Sequence, residues 1–353
     1  MKMINSCNNE LKQLIDKALR INIAVAFFRY PHENELHIVA QKSSEELQFN
    51  AIAAIDGSGF VIAPFNNSSC GLPTIVIRPE IVGLEQLKSF LNTCQTPFET
   101  PSSSISVADV DKQAYVEMFQ NVKSSIGTET SKVVLARSRS KALKTAVSDL
   151  YLQLLSSCPD RMVSLFHTPT AGTWLCATPE LLLSGDNDNY ATMALAGTRR
   201  NAGTAAWDSK NVAEHEVVCR HFDERLSEYS NVKSSDHYTI DFGVLQHLRT
   251  DYTFRAEGIS PQCLAARLHP TPAVCGRPVD SAMRVIDAYE ITNRAYYSGV
   301  IGMLSKDSCR LYINLSCAYV HDGQLTAFAG GGIMPDSDVE DEWRETEMKM
   351  LFD

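Results

Sequence analysis

Hydrophobic residues in the first hundred positions recur with the spacing of β-strands. Four short segments are runs or alternations of apolar residues with polar or turn-forming residues at their ends: IAVAFFRY, ELHIVAQ, FVIAPF and PTIVIRP. Such segments are typical of strands buried on one or both faces. A helical pattern precedes them at residues 10–20. The pattern predicts a strand-rich N-terminal part behind one helix.

The remaining sequence mixes helical and strand patterns without regular alternation. Helices are predicted at residues 111–125, 147–157 and 207–229, and from Glu342 onward. Strands are predicted at KVVLARS, MVSLFH, TWLCATP and PELLLSG, and LYINLSCAYV at residues 311–320 is predicted as one strand. This order favours an α+β fold of layered antiparallel β-sheets surrounded by helices over a doubly wound parallel sheet.

A Pro- and Ser-rich segment, TPFETPSSSISVAD at residues 96–109, has the composition and length of a linker. It sets a soft boundary between residues 1–105, a strand-rich part that completes the fold, and residues 106–353, which contain the segments with candidate chemistry. No internal repeat indicates a solenoid. We expect the two parts to form one integrated domain.

Composition and charge narrow the class of protein. The 353 residues are 44% hydrophobic and 21% charged, which is typical of a globular chain with a large core. The net charge is −10 without a dense Lys/Arg block, so we expect no binding to nucleic acid or to an anionic membrane. The N-terminal segment lacks the apolar core of a signal peptide, and the longest apolar run, INIAVAFF, is too short to span a bilayer. We expect a cytoplasmic protein.

Two acidic segments stand out. In the predicted helix at 207–229, Glu214 lies on the apolar arc, so its carboxylate should point toward the buried side. A buried carboxylate is costly unless it is paired or binds a metal. Taken alone, a salt bridge to Lys210 or Arg220 is the simpler interpretation.

The second acidic segment follows three glycines. In a helix, Glu342, Glu345 and Lys349 fall within a wedge of roughly 60°. A solvated charged face is the default interpretation of such a stripe. Glycines at 330–332 precede it, however, and glycine allows the backbone to approach a small ligand closely.

Eight motifs together resemble those of a known family. They are KVVLARS (132–138), TPELLLSG (178–185), LAGTRR (195–200), EHEVV (214–218), LHPTPAVCG (268–276), YSGVIG (297–302), FAGGGI (328–333) and WRETEMK (343–349). In this order they resemble the chorismate-utilising enzymes, which include isochorismate synthase, salicylate synthase, anthranilate synthase component I and aminodeoxychorismate synthase. The resemblance covers about residues 111–353 and implies a chorismate-binding fold like that of anthranilate synthase component I.

The resemblance implies a magnesium site. Positions matching Glu214 and Glu345 hold Mg²⁺ in this family, and the ion binds the ring carboxylate of chorismate, with Glu342 as a water-mediated ligand. Mg²⁺ prefers oxygen ligands of this kind, and without a cation the glutamates would repel a dicarboxylate. Lys349 matches a lysine that contacts a substrate carboxylate. The backbone at Gly330 and Gly332 matches groups that hydrogen-bond to it.

The resemblance also implies the reaction. Isochorismate forms when water adds at ring C2 while the C4 hydroxyl leaves, which needs a base and an acid. Lys132 matches the lysine that activates water, and Glu180 matches the general acid. Anthranilate synthases lack that lysine, and aminodeoxychorismate synthases have a nucleophilic lysine where this chain has Ala196. We therefore expect an isochorismate synthase feeding menaquinone or siderophore synthesis, with salicylate synthase as the alternative.

Further site residues follow from the same resemblance. Gly197 and Thr198 match a small loop beside the leaving oxygen, and His247 matches a histidine near the ring and its enolpyruvyl group. Part of the pocket wall should come from His269 and Thr271 of the HPTPA segment, with Ala273 and Val274. We expect no amidotransferase subunit, and we expect a monomer.

One position departs from the family pattern. The strand predicted at residues 311–320 aligns with a family strand that presents an arginine to a substrate carboxylate, and this chain has Ser316 there. Serine can donate one hydrogen bond but supplies no charge. Either another cation such as Arg310 compensates, or the enzyme is weak, or the protein binds chorismate with little or no turnover.

Overall fold

The structure is a computed structural model that describes residues 2–94, 96–97, 105–201 and 203–350. Its helices are α1 (Lys2–Ile21), α2 (Asn67–Cys70), α3 (Leu84–Thr93), α4 (Lys112–Ser125), α5 (Val147–Ser157), α6 (Ser209–Leu226), α7 (Pro261–Leu268), α8 (Val279–Tyr289) and α9 (Val339–Lys349). In these described ranges, every helix is too short or too polar to cross a bilayer. Residues 98–104 of the predicted linker lie outside the described residues.

The strands form two antiparallel sheets. Those of the N-terminal part are β1 (Val25–Arg29), β2 (His37–Ala40), β3 (Leu47–Phe49), β4 (Gly59–Ala63), β5 (Thr74–Ile77) and β6 (Ile81–Val82). The later ones are β7 (Lys132–Ala142), β8 (Met162–Thr168), β9 (Gly172–Thr178), β10 (Leu181–Asp186), β11 (Asn189–Arg200), β12 (Ser230–Ser234), β13 (Tyr238–Phe242), β14 (Leu245–Arg255), β15 (Gly276–Arg277), β16 (Val300–Leu304), β17 (Ser308–Ile313), β18 (Cys317–His321) and β19 (Gln324–Ile333).

Within the described residues, the first sheet has the order β15-β7-β19-β18-β9-β8-β1-β2-β6. The second has the order β12-β14-β11-β10-β17-β16-β4-β5-β3, with β13 also paired to β14. Strands of the N-terminal part continue both sheets, because β1 pairs with β8 and β4 pairs with β16. The predicted α+β fold of layered antiparallel sheets surrounded by helices is confirmed.

The continuous apolar pattern of the N-terminal strands follows from burial on both faces. Along β1, Val25 and Phe27 pack in a cluster with residues of α1, α3 and α5. Ala26 and Phe28 point the other way, into a cluster with Phe60 and other residues of the second sheet. The two-residue period of a strand thus divides its side chains between a helix layer and the opposing sheet.

Two crossings between the sheets position the site. The chain passes from β9 in the first sheet to β10 in the second at Glu180, and from β17 in the second back to β18 in the first at residues 314–316. The crossings are joined by two backbone hydrogen bonds. The N–H of Ile313 donates to the carbonyl of Glu180 (3.0 Å), and the N–H of Ala177 donates to the carbonyl of Ser316 (3.1 Å).

The prediction of a single strand at residues 311–320 is wrong. The segment supplies the end of β17 and most of β18, which belong to different sheets, and residues 314–316 lie between them. Ser316 has φ +46°, in the left-handed region that ends a regular strand. The expected sharing of one strand face by Asn314, Ser316 and Ala318 is therefore also wrong.

Capping side chains fix the starts of the two helices that carry the acidic segments. Asp208 accepts a hydrogen bond from the N–H of Asn211 (2.9 Å) at the start of α6. Asp338 accepts from the N–H of Glu340 (2.9 Å) at the start of α9, which begins three residues before Glu342. Both helices lie against strands of the site, α6 against β11 and α9 against β19.

Candidate active site

A cavity of about 320 Å³ opens beside the two crossings. The predicted site and wall residues that line it are Glu180, Gly197, Thr198, Glu214, His247, Ala273, Val274, Ser316, Gly330, Gly332 and Lys349. Lys132, Glu342 and Glu345 do not line the cavity and lie behind its wall. Motifs from both sheets and from α6 and α9 therefore meet at one place, as the resemblance implies.

Lys132, the candidate base, begins β7 and is fully buried. Its Nζ atom lies 2.9 Å from Oε1 of Glu214, so the two side chains form a buried ion pair. The contact is an ion pair without the geometry of a hydrogen bond, and Nζ hydrogen-bonds to no other residue that the structure describes. A Cβ atom at Gly332 would collide with Glu214 Oε1 and lie 2.9 Å from Cε of Lys132, so glycine leaves room for the pair directly behind the cavity.

Glu214 faces the interior of the fold, as its position on the apolar arc predicts, and is 7% exposed. Its partner is Lys132, whereas Lys210 pairs with Glu342 and Arg220 approaches Glu216 at 4.0 Å. The simpler expectation of a salt bridge within α6 is therefore wrong. Burial opposes ionisation of Glu214, but nearby lysines outweigh it and lower the pKa of this carboxyl.

The charged stripe on α9 is buried rather than solvated. Lys349 Nζ lies 2.6 Å from Glu345 Oε1 and donates to the carbonyl of Gly330 at 3.2 Å. Burial opposes the charge of Lys349, yet the carboxylates of Glu345 and Glu214 raise its pKa above the usual value. One turn earlier, Glu342 is fully buried, forms an ion pair with Lys210 and accepts a hydrogen bond from Ser337 Oγ (2.7 Å).

One carboxylate oxygen of Glu342 lacks a hydrogen bond. This atom, Oε2, is buried and has no hydrogen-bond partner in the part of the chain that the structure describes. Burial and the negative charge of Glu345 raise the pKa of Glu342 above its usual value. In the described part of the chain, no group of three or more His, Cys, Asp or Glu side chains is placed to hold a metal ion. Each candidate glutamate ligand is paired with a lysine instead.

Glu180, the candidate acid, sits where β9 gives way to β10 and is 3% exposed. Burial raises its pKa to about 8, although the positive charges of Lys132 and Lys349 and a hydrogen bond with Thr271 act in the opposite direction. The carboxyl group therefore carries a proton at neutral pH and can donate it.

Gly197, Thr198 and His247 form another wall at an irregularity in the pairing of β11 with β14. Gly197 has φ +75°, and a Cβ atom there would lie 2.9 Å from the carbonyl oxygen of Asn211, so the position favours glycine. Thr198 Oγ1 lies 3.2 Å from His247 Nδ1. Burial, with the charge of Lys349, lowers the pKa of His247 to about 3, so the imidazole is neutral.

The HPTPA segment only partly matches its expected role. Ala273 and Val274 line the cavity, as expected. His269 is not a lining residue, because its Nε2 lies 3.2 Å from the backbone oxygen of Phe65. Thr271 is also absent from the lining and hydrogen-bonds to Glu180 behind it.

Arg310 is not the compensating cation in this structure. It pairs with Glu33 at 2.5 Å and lies over the ring of Tyr30, and it does not line the cavity. Arg161 does line the cavity, although no sequence pattern identified it as a site residue. It lies outside the eight motifs, and an arginine before an apolar strand normally indicates a solvated flank. Tyr297, the first residue of the YSGVIG motif, also lines the cavity.

The chain matches proteins of known family. The sequence profile of the chorismate binding enzymes matches residues 8–352. Isochorismate synthase EntC of Escherichia coli (strain K12) is 35% identical over 202 residues, which are 52% of this chain and 51% of EntC. Isochorismate synthase MenF of Bacillus subtilis (strain 168) is 28% identical over 289 residues, which are 76% of this chain and 61% of MenF. The chain thus spans about half to three fifths of the length of these relatives.

A solved structure agrees with the fold. MenF, the menaquinone-specific isochorismate synthase from Escherichia coli, has a TM-score of 0.76 to this chain at 19% sequence identity, and the match covers 96% of this chain and 89% of that one. At this identity the likeness concerns the fold alone. The profile match extends over nearly the whole sequence and includes all eight motifs. The chain therefore belongs to the family of chorismate binding enzymes.

Proposed function

We propose that the protein is an isochorismate synthase, an isomerase that adds water at ring C2 of chorismate with loss of the C4 hydroxyl. The observation that carries the proposal is a protonated acid in the cavity wall with a buried amine close behind it. Glu180 is the acid, and Lys132 is near enough for its charge to act on the Glu180 carboxyl. Relatives named isochorismate synthases support the same reaction.

Glu180 donates the proton that the leaving group needs. The C4–O bond breaks more easily if the hydroxyl departs as water. Glu180 holds a proton at neutral pH because burial raises its pKa to about 8. Thr198 and neutral His247 also line the cavity, where they can hydrogen-bond to the substrate without competing as acids.

Lys132 takes the proton from the water that attacks C2. An amine acts as a base only when it is neutral, so Lys132 must leave its ion pair with Glu214 and release its own proton to solvent before it takes a proton from the attacking water. Glu214 lines the cavity and Lys132 lies behind it, so a shift of the Glu214 carboxylate also exposes Nζ to the cavity. The double bonds of the ring move as C2–O forms and C4–O breaks, which balances the isomerisation.

The carboxylate groups of the acidic residues are suitable ligands for a divalent cation. Glu214, Glu342 and Glu345 offer hard oxygen atoms, and the buried Oε2 of Glu342 has no partner to lose. A Cβ atom at Gly331 would lie 2.8 Å from that oxygen, so the glycine leaves the space beside it open. We assign Mg²⁺ to Glu214 and Glu345, with Glu342 acting through water. Bound there, the ion would neutralise a substrate carboxylate and provide a counter-charge for Glu214 in place of Lys132.

Other residues orient the substrate. Lys349 is half-buried in the cavity wall and charged, so it can bind a carboxylate oxygen. Gly330 and Gly332 keep side chains away from the same region. Val274 provides apolar contact for the ring. Ala196 also lines the cavity, and it offers no amine to replace water as the nucleophile.

Product analysis tests the proposal. The protein is incubated with chorismate and Mg²⁺, and the products are separated by chromatography. Isochorismate without salicylate is the expected result. Salicylate with pyruvate would assign the alternative, a salicylate synthase that eliminates pyruvate in the same cavity. Calorimetric binding of chorismate without any product would indicate a binding protein without turnover.

A further inference from the structure

Arg161 and Ser316 lie on either side of strand β9 in the first sheet, near its C-terminal end. Arg161 directly precedes Met162, which lies opposite Thr178 at the end of β9. On the other side, the carbonyl of Ser316 accepts a hydrogen bond from the N–H of Ala177 of β9 (3.1 Å). Because β8 and β18 both run antiparallel to β9, the two positions are roughly two strand spacings, about 10 Å, apart. Both residues line the cavity.

The guanidinium of Arg161 is held in place but has spare donors. Its Nη2 donates to the carbonyl of Phe242 at 2.7 Å, and the group lies 5.4 Å from the Phe242 ring centre. The side chain is 15% exposed, and its buried Nε finds no hydrogen-bond partner among the residues that the structure describes. The nearest carboxylate oxygen, on Asp160, is 3.9 Å away, which is an ion pair at the limit of contact.

The charge pattern makes Arg161 different from the other cations at the site. Lysines 132, 210 and 349 each lie within ion-pair distance of a glutamate. Among the described residues that line the cavity, the charged ones are Arg161, Glu180, Glu214 and Lys349. Arg161 is therefore the lining cation without a close counter-ion. An incoming anion can bind it without breaking an existing close pair.

We propose that Arg161 binds one carboxylate of the dicarboxylate substrate and supplies the charge that Ser316 lacks. The inference rests on the proposed function for the identity of the substrate. Lys349 lines the same cavity and takes the second carboxylate. An arginine pairs with a carboxylate through two parallel N–H···O bonds, so Arg161 fixes orientation as well as affinity. Arg161 thus acts as a binding residue, which affects substrate affinity more than the chemical step.

The test compares Arg161→Gln with Arg310→Gln. Arg310 is a matched control because it is also a partly buried arginine over an aromatic ring, but it pairs with Glu33 outside the cavity. For Arg161→Gln we expect KM and the calorimetric Kd for chorismate to rise about tenfold or more, with kcat changed little. For Arg161→Lys we expect KM and Kd between those of the unmodified protein and those of Arg161→Gln. Arg310→Gln should leave both constants near those of the unmodified protein.

A second variant gives a reciprocal test. Adding Ser316→Arg to Arg161→Gln should recover most of the lost affinity, because a guanidinium returns to the cavity near the same end of β9. Melting temperatures of all variants report whether each one folds. The proposal is overturned if Arg161→Gln leaves Kd unchanged, if Arg310→Gln weakens binding equally, or if the unmodified protein does not bind chorismate. If the protein binds chorismate but makes no isochorismate, the proposed function fails, and the Kd comparison still decides the role of Arg161.

Discussion

Glu180 loses nearly all contact with water where the chain passes from the first sheet to the second, being 3% exposed. Its backbone is held there by the hydrogen bond from Ile313, and its side chain by Thr271. The carboxyl group is thus buried because the chain crosses between the sheets at this residue. This is the physical reason that a glutamate of ordinary acidity becomes a proton donor at neutral pH.

Glu180→Gln tests that environment through stability as well as rate. Burial raises the pKa of Glu180 from 4.5 to about 8. Between these values the unfolded chain releases the proton and the folded protein keeps it, so the folded state becomes less stable as pH rises. Glutamine does not titrate. The variant should gain unfolding free energy over the unmodified protein by at most about 1.4 kcal/mol per pH unit from about pH 5 to 8.

Denaturant unfolding at several pH values measures the difference. A constant difference over this range would contradict the assignment of a raised pKa to Glu180. In the same variant kcat should fall by about 10² to 10⁴, the usual range for loss of a general acid. An unchanged rate would place the acid elsewhere.

Lys132→Arg and Lys132→Ala separate the charge of the lysine from its role as a base. Arginine keeps a positive charge near Glu214 but cannot be deprotonated in a protein. Both variants should lose about 10² to 10⁴ in kcat, with chorismate still bound. Alanine should also cost about 3 to 5 kcal/mol of stability, because it leaves a buried carboxylate unpaired. Near-normal turnover by Lys132→Arg would exclude Lys132 as the base.

At the residue scale, family motifs predicted most of the cavity lining, but tertiary contacts decided the remainder. Glu214 could be recognised as buried from its place on the helix. Its partner Lys132 lies 82 positions earlier and could not be found by helical spacing. No sequence pattern identified Arg161, since only the pairing of β8 and β18 with β9 brings it to the same end of the sheet strands as Ser316. Arg310 was the wrong cation because its pairing with Glu33 is equally invisible in the sequence.

At the scale of elements, hydrophobic periodicity located the helices and strands well, but it missed one break. Residues 311–320 are apolar apart from Asn314 and Ser316, because both β17 and β18 are buried. These two polar residues are spaced as in a strand, so the pattern does not reveal where the chain leaves one sheet for the other. The break depends on the positive φ of Ser316 and on the hydrogen bonds of the second crossing. These are tertiary features that a two-residue period does not contain.

Helices α6 and α9 carry the three glutamates, which share Lys210 as a neighbouring positive charge, and Glu345→Ala tests what they bind. If Glu345 is a magnesium ligand, the variant should need a higher Mg²⁺ concentration for half-maximal activity. Glu340→Ala is a matched control, because Glu340 lies on the same helix but pairs with Lys112 at the surface. Titration of activity with Mg²⁺ measures both variants. An unchanged Mg²⁺ requirement for Glu345→Ala would remove this residue from the metal site.

At the scale of the whole molecule, the two sheets and their helix layers fix the site from distant parts of the sequence. Strands β1 to β6 continue both sheets, so the N-terminal part contributes to the frame that holds the crossings. The α+β class followed from the order of predicted elements. The order of strands within each sheet did not, because antiparallel pairing joins segments as distant as β4 and β16.

We propose that this site directs water, and no other nucleophile, to C2 of chorismate. Turnover in water labelled with heavy oxygen, followed by mass spectrometry of the isochorismate formed, measures the origin of the C2 oxygen. We expect one heavy oxygen in each product molecule, located in the C2 hydroxyl, because the original C4 hydroxyl departs. Isochorismate that retains only ordinary oxygen, or a product other than isochorismate, would overturn the proposal.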